Sequence, residues 1–367
     1  MIQDAKGINA RSGSLCIMFV SVRKPSKAVL FKKEGETVVC TACRRYCRLK
    51  NNQIGFCGVR KNINGNLYLL VYGMPAAINI DPIEKKPILH MYPNSLIYSI
   101  STVGCSFACQ YCQNYDISQR RNIEGFDYSP EEIVNSAIED GCRGIAYTYN
   151  EPSIFMEFAH DVGILARKRG LINIFVTNGY ETPEAVEYSK DFLDAATVDF
   201  KGNASNDFYR KYISVPSADP IFDTIKLMKE SGIHVEITDL VVPRVGDKLS
   251  DARSMLERLI SILGYEFPIS FLRFHPDYKM MDLPPTPLET LKAHYNLAVS
   301  MGLKYVYIGN VPGYYEDTYC PNCHSLLIKR HGFNSSVVGL NDDGACKKCG
   351  YRTGILIGNN NRIDYIN

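Results

Sequence analysis

The stretch Cys105-Ser-Phe-Ala-Cys109-Gln-Tyr-Cys112 lies between the apolar run Leu96-Ile-Tyr-Ser-Ile-Ser-Thr-Val103 and the first segment with helical spacing. Three thiolates at C-x3-C-x2-C spacing can hold three irons of a cubane iron-sulfur cluster, whereas a complete protein shell takes four. One iron is left open to another ligand. A zinc site or a chance cluster is the plainer reading, but zinc favours paired C-x2-C knuckles and four ligands. The spacing therefore points to a 4Fe-4S cluster on a strand-to-helix loop.

The 367 residues exceed one small domain and suffice for a barrel-sized core with appendages. Lys plus Arg (41) barely exceeds Asp plus Glu (39), so bulk charge does not direct the chain to nucleic acid or membrane. No apolar run approaches the roughly 20 residues that cross a bilayer. Ser14 to Val22 comes nearest to a signal core but is short and leads into basic residues. A cytoplasmic protein is expected. Eleven of the thirteen cysteines fall into three tight groups with metal-ligand spacing, leaving Cys16 and Cys142 isolated, which argues for a reducing compartment over a disulfide framework. Cys142 reads as a small core hydrophobe.

Taken in order, residues 1 to about 35 form a basic lead-in. Cys40, Cys43, Cys47 and Cys57 then give four thiols, the last beside glycines that permit a tight turn; zinc and a second iron-sulfur cluster both suit four sulfurs. Runs such as Asn66–Tyr72 read as strands, and Asp81-Pro-Ile-Glu-Lys-Lys-Pro87 as a solvated, proline-bounded turn. An N-terminal domain with the four-cysteine metal site is expected over residues 1–94.

Beyond the cysteine loop, Ser129-Pro-Glu-Glu132 spells a capping box with proline at the first helical position, ahead of Ile133, Val134, Ala137 and Ile138. Predicted strands at 144–149, 172–177, 195–200, 234–242, 269–274 and 305–308 alternate with predicted helices at 154–168, 183–193, 221–229, 250–263 and 288–301. Strict alternation means parallel strands with right-handed crossovers. The expected fold is α/β, a partial (β/α)6 barrel over residues 95–312, with chemistry at the carboxyl ends of its strands. Residues 313–367 carry Cys320-Pro-Asn-Cys323 and Cys346-Lys-Lys-Cys349, paired knuckles that read as a zinc ribbon. Asn359 to Arg362 read as a frayed tail.

Polar groups end successive predicted strands: Thr148-Tyr-Asn-Glu151, Thr177-Asn178 and Asp199-Phe-Lys201. The loop spacing resembles the signature of radical S-adenosylmethionine (SAM) enzymes. More widely, Cys40-Thr-Ala-Cys43, Gly55-Phe-Cys57-Gly58-Val-Arg60, Asp81–Pro87, Gly104-Cys105, Cys112-Gln-Asn114, Ile117-Ser-Gln119, Thr148–Pro152, Arg273-Phe-His-Pro276 and the terminal ribbon resemble the AmmeMemoRadiSam system radical SAM proteins, a group similar to pyruvate formate-lyase activating enzymes. The resemblance runs from about Cys40 to Gly354.

It implies a radical SAM barrel in which Cys105, Cys109 and Cys112 hold a 4Fe-4S cluster that reductively cleaves SAM. The resulting 5'-deoxyadenosyl radical abstracts hydrogen from a substrate, expected to be a protein or peptide as for glycyl-radical activating enzymes. Asn150 and Glu151 would anchor the SAM ammonium, standing where the family has Gly-Gly-Glu. Asn178 would face the ribose with Thr177 a further cofactor-binding candidate, Asp199 and Lys201 would contact SAM with Lys201 at its carboxylate, and Tyr111 to Gln113 would lie against the adenine. Implied partners are an electron donor such as ferredoxin or flavodoxin and AMMECR1-like and Memo-like companions. Arg273, His275, Asp277 and Tyr278 would face substrate, His275 as a positioning or structural group. Two alternatives belong to other classes: an interaction protein with the barrel as scaffold, its ribbon presenting Lys329, Arg330, His331, Lys347, Lys348 and Arg352 to a macromolecule, and an electron-transfer protein with two clusters.

Overall fold

The computed structural model describes residues 24–119 and 122–357. The Ser14–Val22 run, Cys16 and the Asn359–Arg362 tail lie outside the described residues. The strand runs are apolar almost throughout, as in Ile172-Asn-Ile-Phe-Val-Thr177, so both faces need cover. They assemble into one eight-stranded sheet whose spatial order follows the chain: Ala77–Pro82, Leu96–Ser101, Gly144–Tyr147, Ile172–Thr177, Ala195–Lys201, His234–Val241, Pro268–Arg273 and Tyr305–Gly309. The first pair is antiparallel and every later pair parallel. Six strand-helix units thus lead to a seventh parallel strand.

Helices cover the outer face. Pro130–Glu139 starts as its sequence predicts, with reciprocal capping bonds between Ser129 and Glu132 and with Ile133, Val134 and Ala137 buried, although Ile138 stays at the surface. The helix expected from Ile154 instead begins at Met156, because Pro152–Phe155 first makes one tight 3-10 turn. Cys142 is buried in the main core, as a small hydrophobe would be.

The segment Asp81–Pro87 corrects the expectation of a solvated turn. Asp81, Glu84 and Lys86 are all buried. The strand Ala77–Pro82 feeds a strap that crosses the inner face of the curved sheet, where Ile83, Ile88 and Met91 pack on Ile97, Ala146, Ile172, Ile174 and Ala195. Thr197 Oγ1 donates to the Lys86 carbonyl at 2.7 Å, and Glu236 accepts from the backbone N–H groups of Leu89 and His90, each at 2.9 Å. Buried charge is tolerated because it is paired: Lys86 lies 2.6 Å from Asp81.

Before the strap, two three-stranded sheets carry the N-terminal cysteines. They are bolted to the Pro152–Phe155 turn and the helix after it through Arg60, whose Nε donates to Ile154 O at 2.8 Å and whose guanidinium is ion-paired with buried Glu157. Glu157 also accepts from the backbone of Val29 and Leu30. At the other end, the small sheet of Thr318–Tyr319, Leu326–His331 and Asn334–Val337 docks on the strap, with Arg330 Nη2 donating to Leu89 O at 2.7 Å and Ser335 donating to Glu84.

Candidate active site and the cysteine groups

The carboxyl ends of the parallel strands surround a cavity of about 950 Å³. Cys105, Cys109 and Cys112 form part of its wall. Their loop can take its shape because Gly104 has φ +91°, and because a side chain there would collide with the carbonyl of Cys57. Backbone bonds pin it from neighbouring elements: Gly104 N to Ile117 O, Ala108 N to Ile213 O and Gln110 N to Tyr212 O, at 2.8, 3.0 and 3.0 Å. Phe107 is buried edge-on to Tyr180. Burial pushes the Cys105 thiol well above its ordinary range and Cys109 up to about 12, so binding a metal here means displacing protons from thiols.

Three such thiols on a pinned loop, opening onto a roomy cavity, fit a cluster with one iron left free. Opposite, Asp199 accepts from Thr238 Oγ1, and Lys201 Nζ stands 3.5 Å from Asp199. Burial opposes the Lys201 charge, but Asp199 and Cys109 outweigh it and hold the ammonium above its usual range. Asn150 Nδ2 donates to Thr102 O at 2.7 Å and to Gly104 O at 3.0 Å, while its Oδ1 is buried with no protein partner among the described residues. That orphaned acceptor in the cavity wall suits an ammonium donor. Asn178 lines the cavity with its amide held by Ser106 Oγ, Tyr111 is buried in the wall, and Gln113 sits exposed at the rim.

Glu151 departs from its expected place. It is fully buried and does not line the cavity, because its carboxylate accepts from Ser153 N at 3.1 Å, Asn178 N at 2.9 Å and Thr177 Oγ1. The acid positions the strand ends and does not reach out for a ligand. Thr177 lines the wall, but its hydroxyl is likewise engaged inward: Glu181, a residue with no obvious sequence signal beyond its place four after Thr177, lies 2.6 Å from the same Oγ1. One hydroxyl hydrogen cannot satisfy two carboxylates, so the pair keeps a proton. Burial, then the Glu151 charge, pushes Glu181 up to about 8.

The cavity wall also includes two basic residues, Lys86 and Arg330, whose sequence context points to the surface. Lys86 faces it over the Tyr149 ring, at 4.4 Å, and burial takes its ammonium down to about 8 despite Asp81. Arg273, His275 and Asp277 line the wall, as expected from their place at and after the penultimate strand, whereas Tyr278 stacks on Tyr115 at 4.8 Å and does not line it. Arg330 corrects the basic face imagined on the ribbon: it is buried against the strap and Thr318, so it also forms part of the cavity wall.

The other two cysteine groups differ in spacing. In the ribbon, the Sγ atoms of Cys320, Cys323, Cys346 and Cys349 all lie within 4.8 Å of one another, with Cys320–Cys349 at 3.6 Å and Cys323–Cys346 at 3.7 Å. That spacing fits four thiolates about 2.3 Å from one tetrahedral ion. At the N-terminus Cys40, Cys43 and Cys57 are buried and Cys47 is half-buried, and all four are free thiols. Among the described residues, only the ribbon brings three or more such ligand atoms within 4.8 Å of one another.

The sequence matches the Radical SAM superfamily over residues 99–259. It is 45% identical over 336 residues to the uncharacterized protein MJ0808 of Methanocaldococcus jannaschii, covering 90% of this chain and 99% of the relative. Among solved structures, a radical SAM methyltransferase from Sphaerobacter thermophilus aligns with TM-score 0.47 and 13% identity, over 61% of this chain and 70% of the other. A domain of pyruvate-formate lyase-activating enzyme from Bacteroides vulgatus aligns with TM-score 0.40 and 18% identity, over 46% of this chain and 99% of the other. Among the described residues, no helix is long and apolar enough to cross a membrane.

Proposed function

We propose that this chain, whose residues 99–259 match the Radical SAM superfamily, is an oxidoreductase that generates a 5'-deoxyadenosyl radical to abstract hydrogen from a protein or peptide, in the manner of activating enzymes. The observation that carries this is the meeting of the three loop cysteines with Asn150, Asn178, Asp199 and Lys201 around one cavity. Cys105, Cys109 and Cys112 would hold a 4Fe-4S cluster, which supplies the electron for cleaving SAM to methionine and the radical. Lys201 offers a cation to the SAM carboxylate and Asn150 Oδ1 an acceptor to its ammonium. Asn178 is placed for the ribose, and the Tyr111–Gln113 backbone for the adenine. Asp199 orients Lys201 and keeps it charged. The half of the cavity lined by Arg273, His275 and Asp277 is left for substrate, and the likeness to the AmmeMemoRadiSam group favours a companion protein, AMMECR1-like or Memo-like, with a ferredoxin or flavodoxin as donor. The ribbon metal is zinc in this reading, and the compartment cytoplasmic.

The test is anaerobic reconstitution with iron and sulfide, addition of SAM and a low-potential reductant, and quantification of 5'-deoxyadenosine beside Cys109→Ala. Wild type is expected to form it, and the variant to fall to background. Equal yields from both proteins would sink the reading.

A further inference from the structure

We infer that Cys40, Cys43, Cys47 and Cys57 hold a second 4Fe-4S cluster, not a single ion, and that this cluster is the port through which electrons reach the cysteine loop. The port role rests on the radical SAM reading of the cavity; the identity of the second cluster does not.

The molecule contains its own standard for a single-ion site. The ribbon thiols close to 3.6 and 3.7 Å across the pairs, whereas no three of the N-terminal thiols meet the 4.8 Å spacing, and neither do Cys105, Cys109 and Cys112. The N-terminal four nevertheless converge. Cys40 N donates to Cys47 O at 3.0 Å, a Cβ on Gly55 would lie 3.8 Å from Cys47 Sγ, and Cys43 lies in the fields of the other three. Convergent sulfurs held further apart than around one ion are what a cubane needs, since each thiolate binds a different iron. Four sulfur donors without a histidine or carboxylate also suit an iron-sulfur cluster.

The placement suggests the use. The Cys57 carbonyl lies against Gly104, the residue before Cys105, and Arg45 donates to the backbone of Ser106, the residue after it, while its charge faces Cys43, Cys47 and Cys105. The two cysteine groups are therefore in direct backbone contact. Cys47 is half-buried, and Tyr46 beside it and Ile54 beside Gly55 are exposed. A one-electron protein donor of the ferredoxin or flavodoxin class could touch this edge without entering the cavity. Such a donor would give one electron to the N-terminal cluster, which would return to its oxidised state on passing that electron to the loop cluster. No bond or proton moves in this relay.

The test counts iron, acid-labile sulfide and zinc in the reconstituted full chain and in two variants. Wild type is expected to carry about eight irons, eight sulfides and one zinc, given four irons per cubane. Cys105→Ala/Cys109→Ala/Cys112→Ala should retain about four irons and a reduced-state electron paramagnetic resonance signal that SAM does not shift. Cys40→Ala/Cys57→Ala should keep the SAM-sensitive signal, with flavodoxin reducing the loop cluster more slowly than in wild type while dithionite still reduces it, because the relay is lost and the docking edge is not. Wild type with about four irons and two zincs would overturn the second cluster, and needs no variant to fold. Unchanged flavodoxin reduction in the double variant would overturn the port. Eight irons in wild type with no SAM-sensitive signal would instead overturn the cavity reading and leave the second cluster standing.

Discussion

The N-terminal and C-terminal four-cysteine groups present the same donor atoms to opposite surroundings. The ribbon is self-contained: its thiols pack with Leu327, Ile328, Leu340 and Ile355 in a small core of their own. Hydrogen bonding from Ser325 draws the Cys323 and Cys346 thiols down, Cys346 to about 6, while burial holds Cys320 up at about 11. Cys40 and Cys57 instead belong to the main core, and burial pushes both thiols up. The difference teaches that a count of cysteines specifies a metal, whereas what the cysteines are packed into specifies whether that metal holds together a module or joins one unit to another.

The contrast breaks most visibly at Arg60. Arg60→Ala would leave the Glu157 carboxylate buried without its ion partner, and loss of about 3–5 kcal/mol in denaturant unfolding is expected, as for other broken buried pairs. A cost under about 1 kcal/mol, typical of a surface pair, would mean the N-terminal unit is not anchored where it appears bolted. A smaller and more local effect is expected at the ribbon. Chelation should strip the metal proposed for the ribbon, about one ion, and bring the opening free energy of Leu326–His331 towards ~0 kcal/mol by hydrogen exchange, while the Ala195–Lys201 strand keeps its protection. Loss of protection in both places would erase the distinction between module and joint.

The smallest effect concerns a crowded ionisable pair that needs no metal. The folded-state pKa of Glu181 is raised above its unfolded value near 4.5 to about 8, so its contribution is present in full below 4.5 and is lost as pH rises through about 8. Glu181→Gln removes a group that must otherwise ionise beside Glu151. The variant is expected to melt at a higher temperature than wild type at pH 8.5 and at nearly the same temperature at pH 4.5. An unchanged pH slope of melting temperature would show that Glu151 and Glu181 do not share a proton.

Periodicity made the parallel strands and most helices readable, because each strand is a short apolar run and Ser129–Glu132 writes its cap in four letters. Cysteine spacing likewise exposed all three sulfur groups. What remained illegible depends on contacts distant in sequence. Asp81, Glu84 and Lys86 look like a surface turn because their partners, Tyr149, Ser335 and Thr197, lie far along the chain. Glu151 is hidden in the sequence because its occupiers are a near amide, Ser153, and a distant one, Asn178, with Thr177 beside it, and none of the three marks the carboxylate as engaged. Spacing along the chain reports chemistry held within one loop, and is blind to which side of that loop the protein itself consumes.

The strap laid by Ile83 to Met91 across the inner face of the sheet carries a consequence for traffic. By packing apolar side chains against the inner face of the sheet it gives the cavity a floor on that side, so traffic to the cysteine loop is directed towards the opening at the strand ends. A large partner seated over that opening would act as a stopper. On the proposed reading, the small reactant would be loaded before the large one, and its fragments would leave after the large one departs.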